Sequence, residues 1–197
     1  IQRVQVGTGN AHTMIPNRVS YHLDLRGPSE SIDTGCSSSL VAIHRAMRAL
    51  RAGECEAALA GGVSLVLSPY YHVLSNQAGV LSPTGRCRTF DSAADGYVRG
   101  EGVGILVLKP LHTALRDGDH VYAVLRGGAV NHGGRANSPT APNAAAQGEV
   151  IASALADAAV DPATISYIET HGTGTELGDP VEVEGLVRGF AAAFQRY

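Results

Sequence analysis

A cysteine stands in the run Asp33-Thr34-Gly35-Cys36-Ser37-Ser38-Ser39, where an extended segment gives way to a helical pattern. A thiol acts as a nucleophile through its thiolate, and the positive end of a helix dipole favours that anion. Gly35 permits a tight turn and lets a substrate carbonyl come close. N–H groups at a helix start lack intrahelical acceptors and can hold an oxyanion. The small serines leave the sulfur accessible. The competing reading of Cys36 is a small buried hydrophobe in a turn, and that reading is the one expected of Cys55 and Cys87.

Far downstream, Glu169-Thr170-His171-Gly172-Thr173-Gly174-Thr175 follows a short apolar run. A histidine in a Gly/Thr loop faces a site rather than a core. It can move a proton, or donate a hydrogen bond to a developing carbonyl anion. Thr173 and Thr175 offer hydroxyls to a polar, extended ligand. Two other readings compete: a structural surface histidine, and a loop that cradles phosphate. No lysine stands in a Walker arrangement, which disfavours nucleotide.

The elements that must position these residues alternate in type. Ser37–Arg51 reads as a helix with Leu40, Ile43, Met47 and Leu50 on one face and Gly53 as its stop. The near-continuous apolar runs 57–67, 103–108 and 121–125 read as strands, the first covered on both faces; Lys109-Pro110 ends the second. Residues 144–159 read as a helix broken at Asp161-Pro162, and 166–169 as a short strand. The last helix carries the clearest start signal: Asp179 as N-cap, Pro180 at the first helical position and Glu182 closing a capping box. Strands separated by helices predict a mostly parallel sheet layered between helices. Residues 82–102 and 131–143 are long polar connections, a place where function concentrates.

Composition narrows the class. Only 17% of the residues are charged and 44% are hydrophobic, which excludes disorder and describes a chain with much interior. Glycine, at 24 of 197 residues, is well above the usual share of about 7%. A net charge of −3 leaves no electrostatic footprint for nucleic acid. The apolar run from Ala57 is interrupted by Gly, Ser and Pro, so no membrane span is expected. Three widely spaced cysteines without a CxxC pair predict neither a zinc site nor a disulfide framework, and a reducing cytoplasm fits best. The sequence opens at Ile1 and closes at Tyr197 within a helical pattern, which reads as a piece of something longer.

Taken together, DTGCSSS, the downstream HGTGT and Asp179-Pro180 resemble the β-ketoacyl synthase family of fatty acid and polyketide synthases. The resemblance runs through nearly the whole chain: Gly9-Asn10-Ala11, Pro16-Asn17-Arg18-Val19-Ser20-Tyr21 and Gly27-Pro28-Ser29 before the cysteine, Phe90-Asp91 and Ala94–Gly102 in the central loop, then Asn131-His132-Gly133-Gly134 and Thr140-Ala141-Pro142-Asn143. It is greatest to modular type I polyketide synthases. The Gly-Asn-Ala-His and Asn-His-Gly-Gly wording leans toward modules served by a free-standing acyltransferase.

The resemblance implies a thiolase-like layered α/β/α fold with mostly parallel sheets, of which part is expected here. It implies Cys36 as acyl acceptor, His171 as the group that stabilises an enolate, and Thr173 and Thr175 as hydrogen-bonding partners of a pantetheine arm. The reaction implied is decarboxylative Claisen condensation of an acyl-Cys thioester with a malonyl-type acyl carrier protein. No directly bound cofactor is implied, because substrates ride on carrier-protein phosphopantetheine. Acyl carrier protein and neighbouring synthase domains are the implied partners, with a homodimer in the intact domain. We read the chain as the central fragment of one such domain, with the nucleophile half over about residues 1–110 and the start of a second half over about 111–197. The family's second histidine, in Asn-x-Gly-His, would lie beyond Tyr197, so the fragment alone is expected to be inactive. Gly35 departs from the family's usual alanine, a small change that preserves access. Cys36 itself argues against decarboxylase-type relatives, which carry glutamine there. The alternatives are a thiolase or chalcone-type synthase, a cysteine hydrolase, and a non-elongating or inactive ketosynthase fragment that only passes acyl chains on or has a docking role.

Overall fold

The computed structural model of the chain describes residues 2–196, with side chains from residue 6. Its elements in order are α1 (Gln2–Asn10), α2 (Met14–His22), α3 (Ser38–Ala52), β1 (Ala58–Ser64), α4 (Tyr70–Gln77), β2 (Gly102–Leu108), α5 (Leu111–Asp117), α6 (Ala144–Ala158), a 3-10 turn at Pro162–Thr164, and α7 (Gly178–Phe194). They sort into two compact units, Ile1–Gly62 with Val103–Ala123, and Val63–Gly102 with Val124–Tyr197.

In the first unit, α3 ends where its sequence pattern stops. Gly53 takes the left-handed conformation at φ 73°, and the N–H groups of Gly53 and Glu54 return to Leu50 and Ala49. Met47 is buried on the apolar face, whereas Leu40 on the same face is 70% exposed. An Arg45–Glu30 ion pair at 2.8 Å ties the helix to the extended segment that leads into it. Strands β1 and β2 pair with each other. Their closeness depends on Gly61, since a β-carbon there would lie 1.9 Å from the Gly104 carbonyl oxygen. After β2, the Lys109 ammonium reaches Asp117 and Asp119, each at 2.6 Å, and locks α5 against the strand end. These hydrogen bonds, Asp117 first, raise the Lys109 pKa; those from Arg116 and then Lys109 lower that of Asp117.

The second unit is organised by α6 against α7. Asn143 caps α6, its side-chain oxygen accepting from the N–H groups of Ala145 and Ala146. The interface is built from small residues, with Ala152 and Ala193 almost fully buried. Gly189 faces Ile151 so closely that a β-carbon would sit 2.7 Å from the Ile151 Cβ. Leu81 and Tyr97 form a parallel bridge that closes the base of the long 82–96 loop.

Four expectations are corrected. Residues 121–125 and 166–169 are not strands. An apolar run becomes a strand only where a neighbour takes its N–H and C=O groups, and among the described residues only β1 and β2 pair as strands. Strand β1 is not buried on both faces either: Leu59 and Val63 are 40% and 46% exposed. Cys87 is exposed rather than buried, its sulfur accepting the Val98 N–H. The capping box at the last helix is absent, since α7 starts at Gly178 with Leu177 at the N-cap and no side-chain cap. Asp179 and Glu182 point elsewhere, as the site shows.

Candidate active site

Cys36 is exposed, one residue before the N-cap of α3. The turn that delivers it is held by short polar side chains. The Asp33 carboxylate accepts the Gly35 N–H at 3.1 Å, and Gly35 adopts φ 67°, which only glycine takes without strain. The Ser38 hydroxyl donates to the Gly35 carbonyl at 2.7 Å and accepts the Thr34 N–H at 2.9 Å. The Ser37 hydroxyl donates to the Thr34 carbonyl at 3.0 Å. The cysteine is thus presented to solvent on a cross-braced loop at the start of α3.

His171, Thr173 and Thr175 belong to the second unit, in one loop ahead of α7. His171 is exposed, and its backbone is fixed from α7. The Glu182 carboxylate accepts the N–H groups of His171 at 2.6 Å and Gly172 at 2.8 Å, one on each oxygen. Asp179, 5% exposed, does the same one turn earlier, accepting the Gly174 N–H at 3.0 Å and the Phe90 N–H at 2.6 Å. The two acidic residues that look like a local cap in the sequence therefore satisfy loop amides instead. Their charge still sits in the first turns of α7, where the helix dipole favours it.

The threonine pair has a limited donor capacity. Thr173 and Thr175 hydrogen-bond each other at 3.0 Å, and Thr175 also accepts the Gly178 N–H at 3.0 Å. One hydroxyl proton is spent between them, leaving one O–H donor and the free lone pairs for a ligand. That fits a single amide or carbonyl of an extended arm. Among the described residues no group of three or more His, Cys, Asp or Glu is placed to hold a metal. His132 uses its Nδ1 to accept the Gly134 N–H at 2.9 Å within its own loop. A cavity of about 290 Å³ beside that loop is lined by Asn131, His132, Asn143 and Gln147, and by neither Cys36 nor His171.

The sequence singles out Cys36, His171, Thr173 and Thr175 as candidates but gives no sign of the side chains that brace their loops. Asp179 and Glu182 stood out only as helix-start residues. Thr89, which donates to the Gly172 carbonyl at 2.6 Å, gave no signal, because its partner lies 83 residues away.

Comparison with known proteins places this arrangement. The model of the β-ketoacyl synthase N-terminal domain matches residues 1–114, and that of the C-terminal domain matches residues 122–196. Polyketide synthase PksN of Bacillus subtilis is 58% identical over 181 residues, 92% of this chain and 3% of the relative. A phenolphthiocerol/phthiocerol polyketide synthase of Mycobacterium tuberculosis is 58% identical over 180 residues, 91% of this chain and 12% of the relative. Among solved structures, an oxazolomycin ketosynthase domain from Streptomyces albus superposes with a TM-score of 0.90 at 50% identity, over 91% of this chain and 32% of that one. The ketosynthase from module 6 of the Bacillus subtilis bacillaene synthase gives 0.91 at 45% identity, over 93% and 32%. The chain thus spans about a third of those ketosynthases and a small part of the curated synthases, and over that stretch it has their thiolase-like α/β fold. With its exposed cysteine at a helix start and its braced histidine loop, the chain belongs to the β-ketoacyl synthase family.

Proposed function

We propose that these residues form the nucleophile and first-histidine part of a polyketide-synthase ketosynthase that catalyses decarboxylative Claisen condensation. The observation that carries the reading is Cys36, exposed on a side-chain-braced turn at the start of α3. An acyl group moves from the pantetheine thiol of an acyl carrier protein to the Cys36 sulfur: a C–S bond forms, another breaks, and the cysteine proton ends on the pantetheine thiol. A malonyl-type thioester then loses CO2. His171 donates a hydrogen bond to the enolate oxygen that develops. The enolate carbon attacks the Cys36 thioester carbonyl, a C–C bond forms, and the thiolate leaves ready for another round. One threonine O–H from the Thr173–Thr175 pair holds the pantetheine arm.

The same reading assigns acyl carrier protein and neighbouring synthase domains as partners, a homodimer as the assembly and the cytoplasm as the location. It divides the chain into a nucleophile half over about residues 1–110 and the start of a second half over about 111–197. No helix among the described residues is long and apolar enough to cross a membrane.

The test uses the full-length protein. Iodoacetamide is expected to alkylate Cys36 faster than Cys87, although both are exposed, and faster than the half-buried Cys55. A His171→Ala variant is expected to self-acylate at Cys36 while decarboxylating malonyl-acyl carrier protein about 10²-fold or more slowly. Equal alkylation of Cys36 and Cys87, or a His171→Ala defect confined to acylation, overturns the reading.

A further inference from the structure

Thr89 lies in a turn that the proposed chemistry does not use, yet it contacts the backbone next to His171. Its hydroxyl donates to the Gly172 carbonyl oxygen at 2.6 Å. Its methyl group fills the space beside Gly172, where a β-carbon would come within 2.6 Å of the Thr89 Cγ2. Gly172 itself is at φ 51°. The loop and the turn therefore fit one another both sterically and by hydrogen bonding.

The turn is under strain. Phe90 has φ 60°, a conformation that a bulky aromatic residue avoids. What keeps it there is the nearly buried Asp179, whose carboxylate takes the Phe90 N–H on one oxygen and the Gly174 N–H on the other. Strained backbone persists only where surrounding contacts over-determine it, and it concentrates at functional sites. Gly96 adds a further tie, its N–H donating to the Gly174 carbonyl at 2.9 Å. The histidine loop is thus gripped on one side by α7 and on the other by residues 89–96.

We propose that Thr89 is a positioning residue for His171, latching the histidine loop to the strained Arg88–Phe90 turn that Asp179 holds in place. The latch acts on the angle at which the imidazole meets the enolate oxygen, and so on decarboxylation. Acylation of Cys36 does not depend on it. The inference rests on the role given to His171 above.

The experiment compares Thr89→Val, Thr89→Ser and His171→Ala in the full-length protein. The readouts are CO2 release from malonyl-acyl carrier protein, acylation of Cys36 by an acyl carrier-protein thioester, and the thermal midpoint. Thr89→Val keeps the volume and loses the donor; decarboxylation falls ~10-fold or more while acylation stays within about twofold. Thr89→Ser keeps the donor and recovers most of that loss. If Thr89→Val does not fold, Asp179→Asn gives an independent reading, since the amide can accept only one of the two N–H groups, that of Phe90 in the turn or that of Gly174 in the histidine loop. Equal falls in both reactions, or no fall in a folded Thr89→Val protein beside a defective His171→Ala protein, remove the latch. A His171→Ala protein that decarboxylates normally removes instead the underlying role of His171.

Discussion

Glu182 shows how one side chain can set the geometry of another without touching its ring. Each of its oxygens accepts one backbone N–H, from His171 and from Gly172, so the carboxylate holds two successive peptide units. Hydrogen bonds to a charged acceptor are the stronger kind. Glu182→Gln replaces one acceptor by an NH2 group that faces an N–H, leaving two donors opposed. The expected cost is about 1–3 kcal/mol of stability, read as a lower thermal midpoint, together with slower decarboxylation. The sequence pattern Asp179-Pro180-x-Glu182 was legible as significant and misread in its target. A cap joins residues a few positions apart, whereas Asp179 reaches Phe90, 89 residues away. Local pattern carries no information about such a partner. Cys36 and His171 stand out as candidates because their signals are local: Cys36 follows a glycine and precedes α3, and His171 lies in a run of Gly and Thr.

At the level of elements, the helices with strong stops and starts were the readable ones. The α3 limits follow from Gly53 in the left-handed conformation, and those of α6 from Asn143 as its cap. The expected strands at 121–125 and 166–169 failed because hydrophobicity marks a strand only when a partner edge is there to pair with it. The α6–α7 contact was also invisible in advance, since a glycine in a helix reads as a weakness until the opposing helix is known. Here Gly189 lets α7 approach Ile151. Gly189→Ala places a methyl group 2.7 Å from the Ile151 Cβ and 2.8 Å from its Cγ2. Overpacking of this kind costs about 1–3 kcal/mol, against the ~1 kcal/mol that alanine gains over glycine in a helix. A net loss of thermal stability is expected; a net gain would show that the helix pair is not close-packed in solution.

For the molecule as a whole, the low charge content and the apolar runs have a common outcome in the surface. Along β2, Val103, Ile105 and Val107 are 73%, 58% and 75% exposed. Such a surface calls for covering. The 197 residues expressed alone are therefore expected to bind a hydrophobic dye strongly and to self-associate in light scattering. Weak dye binding by a monodisperse preparation would contradict the exposed strand faces.

The latch between the Arg88–Phe90 turn and the histidine loop also has a temporal consequence. Its contacts close a chain segment of more than eighty residues, and the entropy of that closure must be met before any of its hydrogen bonds can form. Helices such as α6 and α7 can order earlier on local contacts. The latch is therefore expected to close among the last events of folding. Damage to the latch would accordingly hasten unfolding while leaving the folding rate nearly untouched.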